Sequence, residues 1–281
     1  MMLVECPNCR AVSASRLPTD AYLRTYYASY YDEFQEAPKV AFRDVRRFAI
    51  HITSGAAPFR PLNTFQLLDY GGGDGRIALD VGNLLLEHTG ARTAEVDCFD
   101  LSGTAPAPTP YQGVTIRAYS RPEDLVGRRY HGIIASAVFE HISYPRPVMK
   151  ALLSALEPGG WLYARTPYMT PVLTLANMLG IRLPFGFPAH IHDLGPAFWN
   201  RCLTMLGLDT THTLIRSQPS IIETNLKDYP VRTILAWCLK QPGRLLGHRW
   251  PLVGGWEVWI RRNMPMFLFW IYNAIWYINC S

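Results

Sequence analysis

Three groups of residues in this chain have the types and spacing to do chemistry. The first is Leu67-Leu68-Asp69-Tyr70-Gly71-Gly72-Gly73-Asp74-Gly75-Arg76, an apolar run that ends in an acid and then turns through glycines. Glycine lets the backbone turn sharply and approach a ligand closely. A dinucleotide-binding turn needs Gly-x-Gly-x-x-Gly, but counting from Gly71 and Gly73 the third position is Arg76, so that fingerprint fails. What stands there is an acid with alternating glycines: Asp69, Gly71, Gly73 and Gly75. The second group is histidine: His141 in Phe139-Glu140-His141-Ile142, and His190 and His192 in Pro188-Ala189-His190-Ile191-His192-Asp193. Histidine titrates where a general base must. His141 either works at a ligand edge or only caps and packs a strand–loop junction. The His-x-His-Asp cluster has metal-ligand residue types, but no second cluster completes a site, so no metal is expected. The third group is Cys6-Pro7-Asn8-Cys9, which is half of a zinc knuckle. Structural zinc needs four ligands, and neither a second Cys-x-x-Cys nor a His-x-x-x-His follows. A monomer is expected to hold no fully coordinated zinc.

The elements that must position these residues are legible from residue 65 onward, where apolar runs alternate with helical patterns, the signature of an open parallel sheet. Strands are expected at Phe65–Tyr70, Ala94–Asp100, Val114–Ala118, Tyr130–Ser136 and Trp161–Thr166, and helices at Arg76–Glu87, Pro145–Ala155 and Phe198–Leu206. Thr213–Arg216 and Trp256–Ile260 are further candidate strands. Three prolines after Asp100 leave little room for a helix there. Upstream, residues 38–52 have roughly helical apolar spacing, and the breaker-rich Gly55 to Pro61 marks a boundary. The fold class is therefore α/β: an open, mainly parallel, doubly wound sheet with a helical N-terminal lead-in and a C-terminal extension. In such sheets ligands bind beyond the carboxyl ends of the strands, where the glycine turn lies.

Four motifs in order over residues 65–166 resemble the class I S-adenosylmethionine-dependent methyltransferases. They are the Asp69–Gly75 turn, the strand ending Phe99-Asp100-Leu101-Ser102, the Ile133–Ile142 stretch with its Glu-His ending, and Pro158-Gly159-Gly160 before a strand. The resemblance implies S-adenosylmethionine as cofactor. Its cationic amine and sulfonium suit the acid Asp69 at the strand end. Cofactor contacts would come from Asp69, Gly71, Gly73, Gly75, Asp100, Leu101 and Ser136, with Asp100 accepting the ribose hydroxyls. Asp97 lies inside its strand and is the poorer candidate. The adenine position falls at Ser120 or Arg121, and the acid that often opens the fourth strand is His131 here. His141 and His190 are the candidate catalytic residues, His190 as a lining of the acceptor pocket or as a base. Tyr26, Tyr27, Tyr30 and Tyr31 form either a packed aromatic face or a cover over the cofactor, with Tyr26 or Tyr30 touching it. The sequence Cys6–Cys9, Pro18-Thr19-Asp20, Tyr26-Tyr27 also resembles the second half of the zinc ribbon that opens some glycan and secondary-metabolism methyltransferases. The implied organisation is a half knuckle with Tyr-rich lead-in (1–60), a methyltransferase domain (61–262, with an insertion at about 167–195) and a tail (263–281).

Composition narrows the partners. The chain has 281 residues, 49% of them hydrophobic and 17% charged, which excludes a disordered chain. Its net charge of +5 lies wholly in residues 201–281, where nine Lys or Arg face four Asp or Glu. The neutral remainder, and the lack of an Asn-Pro-Pro-Tyr or Asp-Pro-Pro-Tyr signature after the fourth strand, argue against nucleic acid as partner. Six scattered cysteines and no leading signal pattern suggest a cytoplasmic protein. Residues 264–281 carry no charge and six aromatics. They are read as a packing or homo-oligomer segment, as a membrane-surface anchor, or as a cloning or frame artefact. The expected function is methyl transfer to oxygen of a small-molecule or sugar-linked acceptor. The alternative is a non-catalytic, cofactor-binding regulatory subunit of the same fold.

Overall fold

The computed structural model describes residues 2–19, 21–23, 25–26, 44–59, 62–183, 185–220, 230–246 and 252–264. An N-terminal hairpin, β1 (Leu3–Glu5) and β2 (Val12–Ala14), precedes helix α1 (Val45–Ala56). The chain then runs through β3 (Thr64–Tyr70), α2 (Arg76–Thr89), β4 (Thr93–Phe99), β5 (Val114–Tyr119) and β6 (Tyr130–Ser136). It continues through α3 (Pro145–Ser154), β7 (Leu156–Tyr168), α4 (Thr170–Met178), β8 (His192–Asp193) and α5 (Pro196–Leu206). The last described elements are β9 (His212–Pro219), α6 (Pro230–Leu246) and β10 (Gly254–Arg262).

Seven strands form one sheet in the order β5-β4-β3-β6-β7-β10-β9. The pairs from β5 to β7 are parallel, and β10 runs antiparallel to both of its neighbours. This is the expected α/β, mainly parallel, doubly wound architecture. Central strands covered on both faces must be apolar throughout; accordingly Leu67, Ile133, Ile134 and Ala135 are fully buried. One face packs Phe48 and Ile52 of α1 and Leu85 of α2, the other Leu152 of α3 and Trp199 of α5. Strand order in the sheet reverses between β3 and β6, so the crevice at a topological switch point opens at their carboxyl ends.

Helix α1 begins at Val45, where the Asp44 carboxylate accepts from the Arg47 N–H at 2.9 Å and caps the first turn. It also runs through Gly55, where the breaker pattern suggests an end. The reason is tertiary: a Cβ on Gly55 would sit 2.2 Å from the Trp259 ring, so the bare backbone makes room for that indole. Trp259 Nε1 then donates to the Ile52 carbonyl at 2.9 Å. Helix α6 arises where no element is expected, and its internal Pro242 obscures it in the sequence.

The hairpin docks on the main domain. β2 pairs antiparallel with β8, and His192 of β8 bonds Ser13 Oγ through Nδ1 at 2.8 Å and the Ile142 carbonyl through Nε2 at 2.9 Å. Cys6 and Cys9 flank the hairpin turn. Their thiols are unbridged, and backbone N–H groups of Cys9 and Asn8 pull the Cys6 thiol below its ordinary range. No helix among the described residues is long and apolar enough to cross a membrane. Residues 265–281 lie outside the described residues, as do Tyr27, Tyr30 and Tyr31.

Candidate active site

The glycine turn is built by backbone constraints that a side chain would violate. Gly71, Gly73 and Gly75 have φ of 76°, 57° and 74°, the region where only glycine sits without strain. Gly71 N–H donates to the Phe99 carbonyl at 2.7 Å, which binds the turn to the end of β4. A Cβ on Gly71 would lie 2.6 Å from Val138 Cγ2, so the turn also abuts the segment leaving β6. Around Gly73 a Cβ would meet nothing within 4 Å. The turn therefore leaves an open face over the crevice.

Asp69, next to last in β3, lies beneath this turn with its carboxylate buried, and Oδ2 has no hydrogen-bond partner among the described residues. Burial, and after it the negative charges of Asp100 and Asp74, push its pKa up to about 7. Asp100 follows β4. Its Oδ2 accepts from the Gly73 N–H at 2.9 Å, and its Oδ1 accepts from Ser102 N–H at 2.9 Å and Ser102 Oγ at 2.6 Å. This acid therefore clamps the glycine turn. Asp97 is engaged elsewhere, in an ion pair with Arg128 at 2.9 Å and a hydrogen bond from Tyr130 at 3.0 Å.

Of the other expected cofactor residues, Ser136, Ser120 and Leu101 end or follow strands at the same edge. Ser136 is the last residue of β6. Ser120 follows β5, beside the Tyr119 carbonyl that accepts from the Asp100 N–H at 3.0 Å. Leu101 is exposed in the turn after β4. Arg121 is in an ion pair with Asp124 at 3.1 Å. His131 sits at the opposite, amino edge, where its Nδ1 accepts from the Gln66 N–H at 3.0 Å. Tyr26 stacks on Tyr22 at 6.3 Å, while Tyr30 lies outside the described residues.

A second cluster stands at the end of β6. The 3-10 turn Phe139–His141 buries Glu140, whose Oε2 has no partner among the described residues. Burial raises the Glu140 pKa to about 7. His141 Nδ1 lies 2.6 Å from the Ala189 carbonyl, so that nitrogen carries the proton and the neutral ring holds its lone pair on Nε2. Nε2 is 3.8 Å from Glu140 Oε1. The His190 ring centre lies 5.1 Å from that of His141, and burial lowers the pKa of both rings. The loop carrying His190 is tied to this turn by the Ile191 N–H donating to the Glu140 carbonyl at 2.7 Å. The neighbouring His192 and Asp193 point elsewhere. His192 holds the hairpin, and Asp193 caps α4 by accepting from the Met169 and Thr170 N–H groups, each at 2.7 Å. Both histidines of the cluster stand out in the sequence, whereas Glu140 enters it only as half of the Glu-His ending of the Ile133–Ile142 motif, with no role assigned to it. The only signal for it is its adjacency to His141, and an acid beside a histidine is ordinarily solvated.

Comparison with known proteins agrees with this layout. The family described as "Methyltransferase domain" matches residues 26–213. The chain is a class I methyltransferase of that family. Among solved structures, the plantazolicin methyltransferase BpumL, in complex with a monoazolic desmethylPZN analog and SAH, is 14% identical, with 86% of this chain and 97% of that one covered and a TM-score of 0.50. The cyclopropane synthase MmaA2 from Mycobacterium tuberculosis is 15% identical, with coverages of 89% and 100% and a TM-score of 0.51. These likenesses are likenesses of fold. No curated protein matches the chain significantly.

The methyl donor of this methyltransferase is S-adenosylmethionine, and the residues present suit it. An orphaned, buried carboxylate oxygen on Asp69 calls for a cationic group. The uncovered face at Gly73 admits a ligand against the backbone.

Proposed function

We propose that this methyltransferase methylates an oxygen of a small-molecule or sugar-linked acceptor in the cytoplasm. In this reading Asp69 meets the positive charge of the cofactor's methionine portion. Asp100 faces its ribose, Ser120 and Leu101 flank its adenine, Ser136 borders it on the β6 side, and Tyr26 covers it. S-adenosylmethionine supplies an electrophilic methyl group on a positively charged sulfur. The protein's tasks are then alignment, worth several kcal/mol and up to about 7–11 in well-oriented cases, and removal of the acceptor's proton.

The observation that carries the oxygen assignment is the Glu140–His141–His190 cluster beside the glycine turn. A hydroxyl must lose its proton as it reacts, and this requires an electron-pair donor at the acceptor edge. The Ala189 carbonyl fixes His141 in the tautomer that offers one on Nε2. The scattered cysteines, unbridged among the described residues, support a reducing, cytoplasmic setting.

The test is single-turnover kinetics on hydroxyl-bearing and amine-bearing acceptor panels, with the methylated atom located by mass spectrometry and NMR. His141→Ala should cut kcat about 10²–10⁴-fold while leaving the cofactor Kd within a factor of two or so. Methylation at nitrogen or carbon, or an unchanged kcat in His141→Ala, would sink the reading.

A further inference from the structure

We propose that Glu140, His141 and His190 form a binding site for one divalent transition-metal cation, zinc in the first instance, with its open position turned to the acceptor's oxygen. The proposal rests on the reading above that this cluster faces the acceptor, and it names what the cluster's lone pairs hold. Among the described residues, these three offer ligand atoms that all lie within 4.8 Å of one another. Ligands at about 2.0–2.2 Å from a tetrahedral zinc stand roughly 3.3–3.6 Å apart. The 3.8 Å between Glu140 Oε1 and His141 Nε2 is already close to that spacing. Small side-chain rotations complete the closure.

The donor set fits such an ion. Two imidazoles and one carboxylate make up a known three-ligand set of catalytic zinc, with a fourth position left for water or substrate. Imidazole nitrogen selects zinc and its transition-metal neighbours over magnesium, which prefers oxygen ligands. Glu140 supplies the second observation. Its Oε2 is buried with no hydrogen-bond partner among the described residues, and a buried carboxylate is costly unless a counter-charge meets it. A cation in the cluster is that counter-charge.

The surroundings also match what a metal-binding histidine needs. Such a ring donates its other N–H to a carbonyl or carboxylate, which fixes the tautomer and orientation. His141 does this through Nδ1 to Ala189. The Ala189 carbonyl lies one residue before His190, and the Ile191 N–H on the other side of His190 binds the Glu140 carbonyl. Two hydrogen bonds thus staple the third ligand onto the turn that bears the first two. Of the charges acting on Glu140, Asp193 favours an added cation, while a protonated His190 and Arg165 oppose it.

A cation here would lower the pKa of a hydroxyl placed on its open position. With the cation bound, His141 Nε2 serves as its ligand and not as the base: the O–H bond breaks with the proton passing to water, the oxygen's electron pair forms the bond to the methyl carbon, and the C–S bond breaks with its pair leaving on the donor's sulfur. The sequence reading expects no metal because no second cluster completes the His-x-His-Asp set. The partner cluster lies about fifty residues upstream, and only the fold brings it there.

The test uses the full chain carrying Cys6→Ser and Cys9→Ser, so that the hairpin thiols cannot bind the probe. After chelation it is titrated with Co²⁺ and then with Zn²⁺. The expected result is one equivalent of Co²⁺ with visible d–d absorption and no thiolate charge-transfer band, displaced by Zn²⁺ and not by Mg²⁺. His190→Ala and Glu140→Gln should each weaken binding by more than the roughly 10–100-fold that loss of a metal ligand's outer hydrogen-bond partner costs. Circular dichroism and cofactor binding report folding. If Glu140→Gln does not fold, His190→Ala decides. No stoichiometric Co²⁺, or binding indifferent to His190→Ala, overturns the site. If Co²⁺ fails to bind while His141→Ala still loses kcat on a hydroxyl acceptor, the cation is refuted and oxygen methylation stands. Stoichiometric Co²⁺ together with methylation at nitrogen supports the cation site and refutes both oxygen methylation and the orientation of the open position toward an acceptor oxygen.

Discussion

Asp69→Asn offers the sharpest test of how the glycine turn recognises its ligand. The Asp69 carboxyl is buried, one of its oxygens is orphaned, and its pKa is raised from 3.8 to about 7. A cationic ligand that returns the group to its ordinary range shifts it by about three units, worth about 4 kcal/mol, or close to 10³-fold in affinity. The carboxylate is the binding form, so wild-type affinity should fall as pH drops below 7, by roughly tenfold per unit down to about pH 5. The amide of Asp69→Asn cannot ionise. The ratio of variant to wild-type Kd should therefore approach 10³ at pH 8 and shrink to about 10 at pH 5. Taking the ratio cancels titration of the ligand's own amine. Asp74 and Asp100, which act on the same carboxyl, are present in both proteins. Cys98, pushed up to about 12, is silent over this range. Isothermal titration calorimetry with S-adenosylmethionine and its demethylated product measures both profiles. A ratio near 1 at pH 8 would show that Asp69 does not face the cationic group, and a ratio flat from pH 5 to 8 would show that it does not titrate there. The same linkage fixes a stability sign. A folded-state pKa above the unfolded value contributes stability below the unfolded pKa that is lost as pH rises through 7. Asp69→Asn should therefore raise Tm at pH 8 and leave it nearly unchanged at pH 4.

Two further substitutions probe the scaffold. Glu257 is fully buried, faces His51 at 2.8 Å, and accepts from Tyr163 at 3.0 Å and Gln218 at 2.7 Å. Glu257→Ala strands these partners and should cost about 3–5 kcal/mol in urea unfolding, and a loss below about 1 kcal/mol would deny the network any role. Gly71→Ala puts a methyl 2.6 Å from Val138 Cγ2 at a positive φ, whereas Gly90→Ala at φ 69° meets nothing within 4 Å. Gly90→Ala should lose about 1–2 kcal/mol of stability and Gly71→Ala more, because Val138 must also shift, but only Gly71→Ala should weaken cofactor binding, by at least about tenfold. Equal Kd for the two variants would show that the tight approach at Gly71 is unrelated to the ligand.

Local patterns carry far in this chain because β3, β4 and β6 are short apolar runs ended by polar or glycine residues, and each is legible within a residue or two of its observed bounds. Asp69 and the alternating glycines are legible for the same reason: the turn's chemistry is written in consecutive residues. Three features are not. Gly55 reads as a helix breaker, yet it lies inside α1 because Trp259, some two hundred residues away, occupies its missing side chain. Asp100 reads as a ligand-facing acid, and the structure shows it also holding the Gly73 N–H. Glu140 is legible only as half of a Glu-His ending, and its burial in the 3-10 turn is not written in its neighbours.

By itself the sequence determined the α/β alternation, the glycine turn with its strand-end acid, the failed dinucleotide pattern and the identity of the two histidines. All of these depend on neighbours within a few residues, through backbone conformation and side-chain periodicity. Only the tertiary structure decided which distant groups share an environment. It put His190 against Glu140 and His141, sent His192 to the hairpin and Asp193 to a helix cap, and raised the Asp69 pKa by closing the sheet around it. Burial and through-space charge set those properties, and both arise when strands far apart in the chain become neighbours at one edge of the sheet.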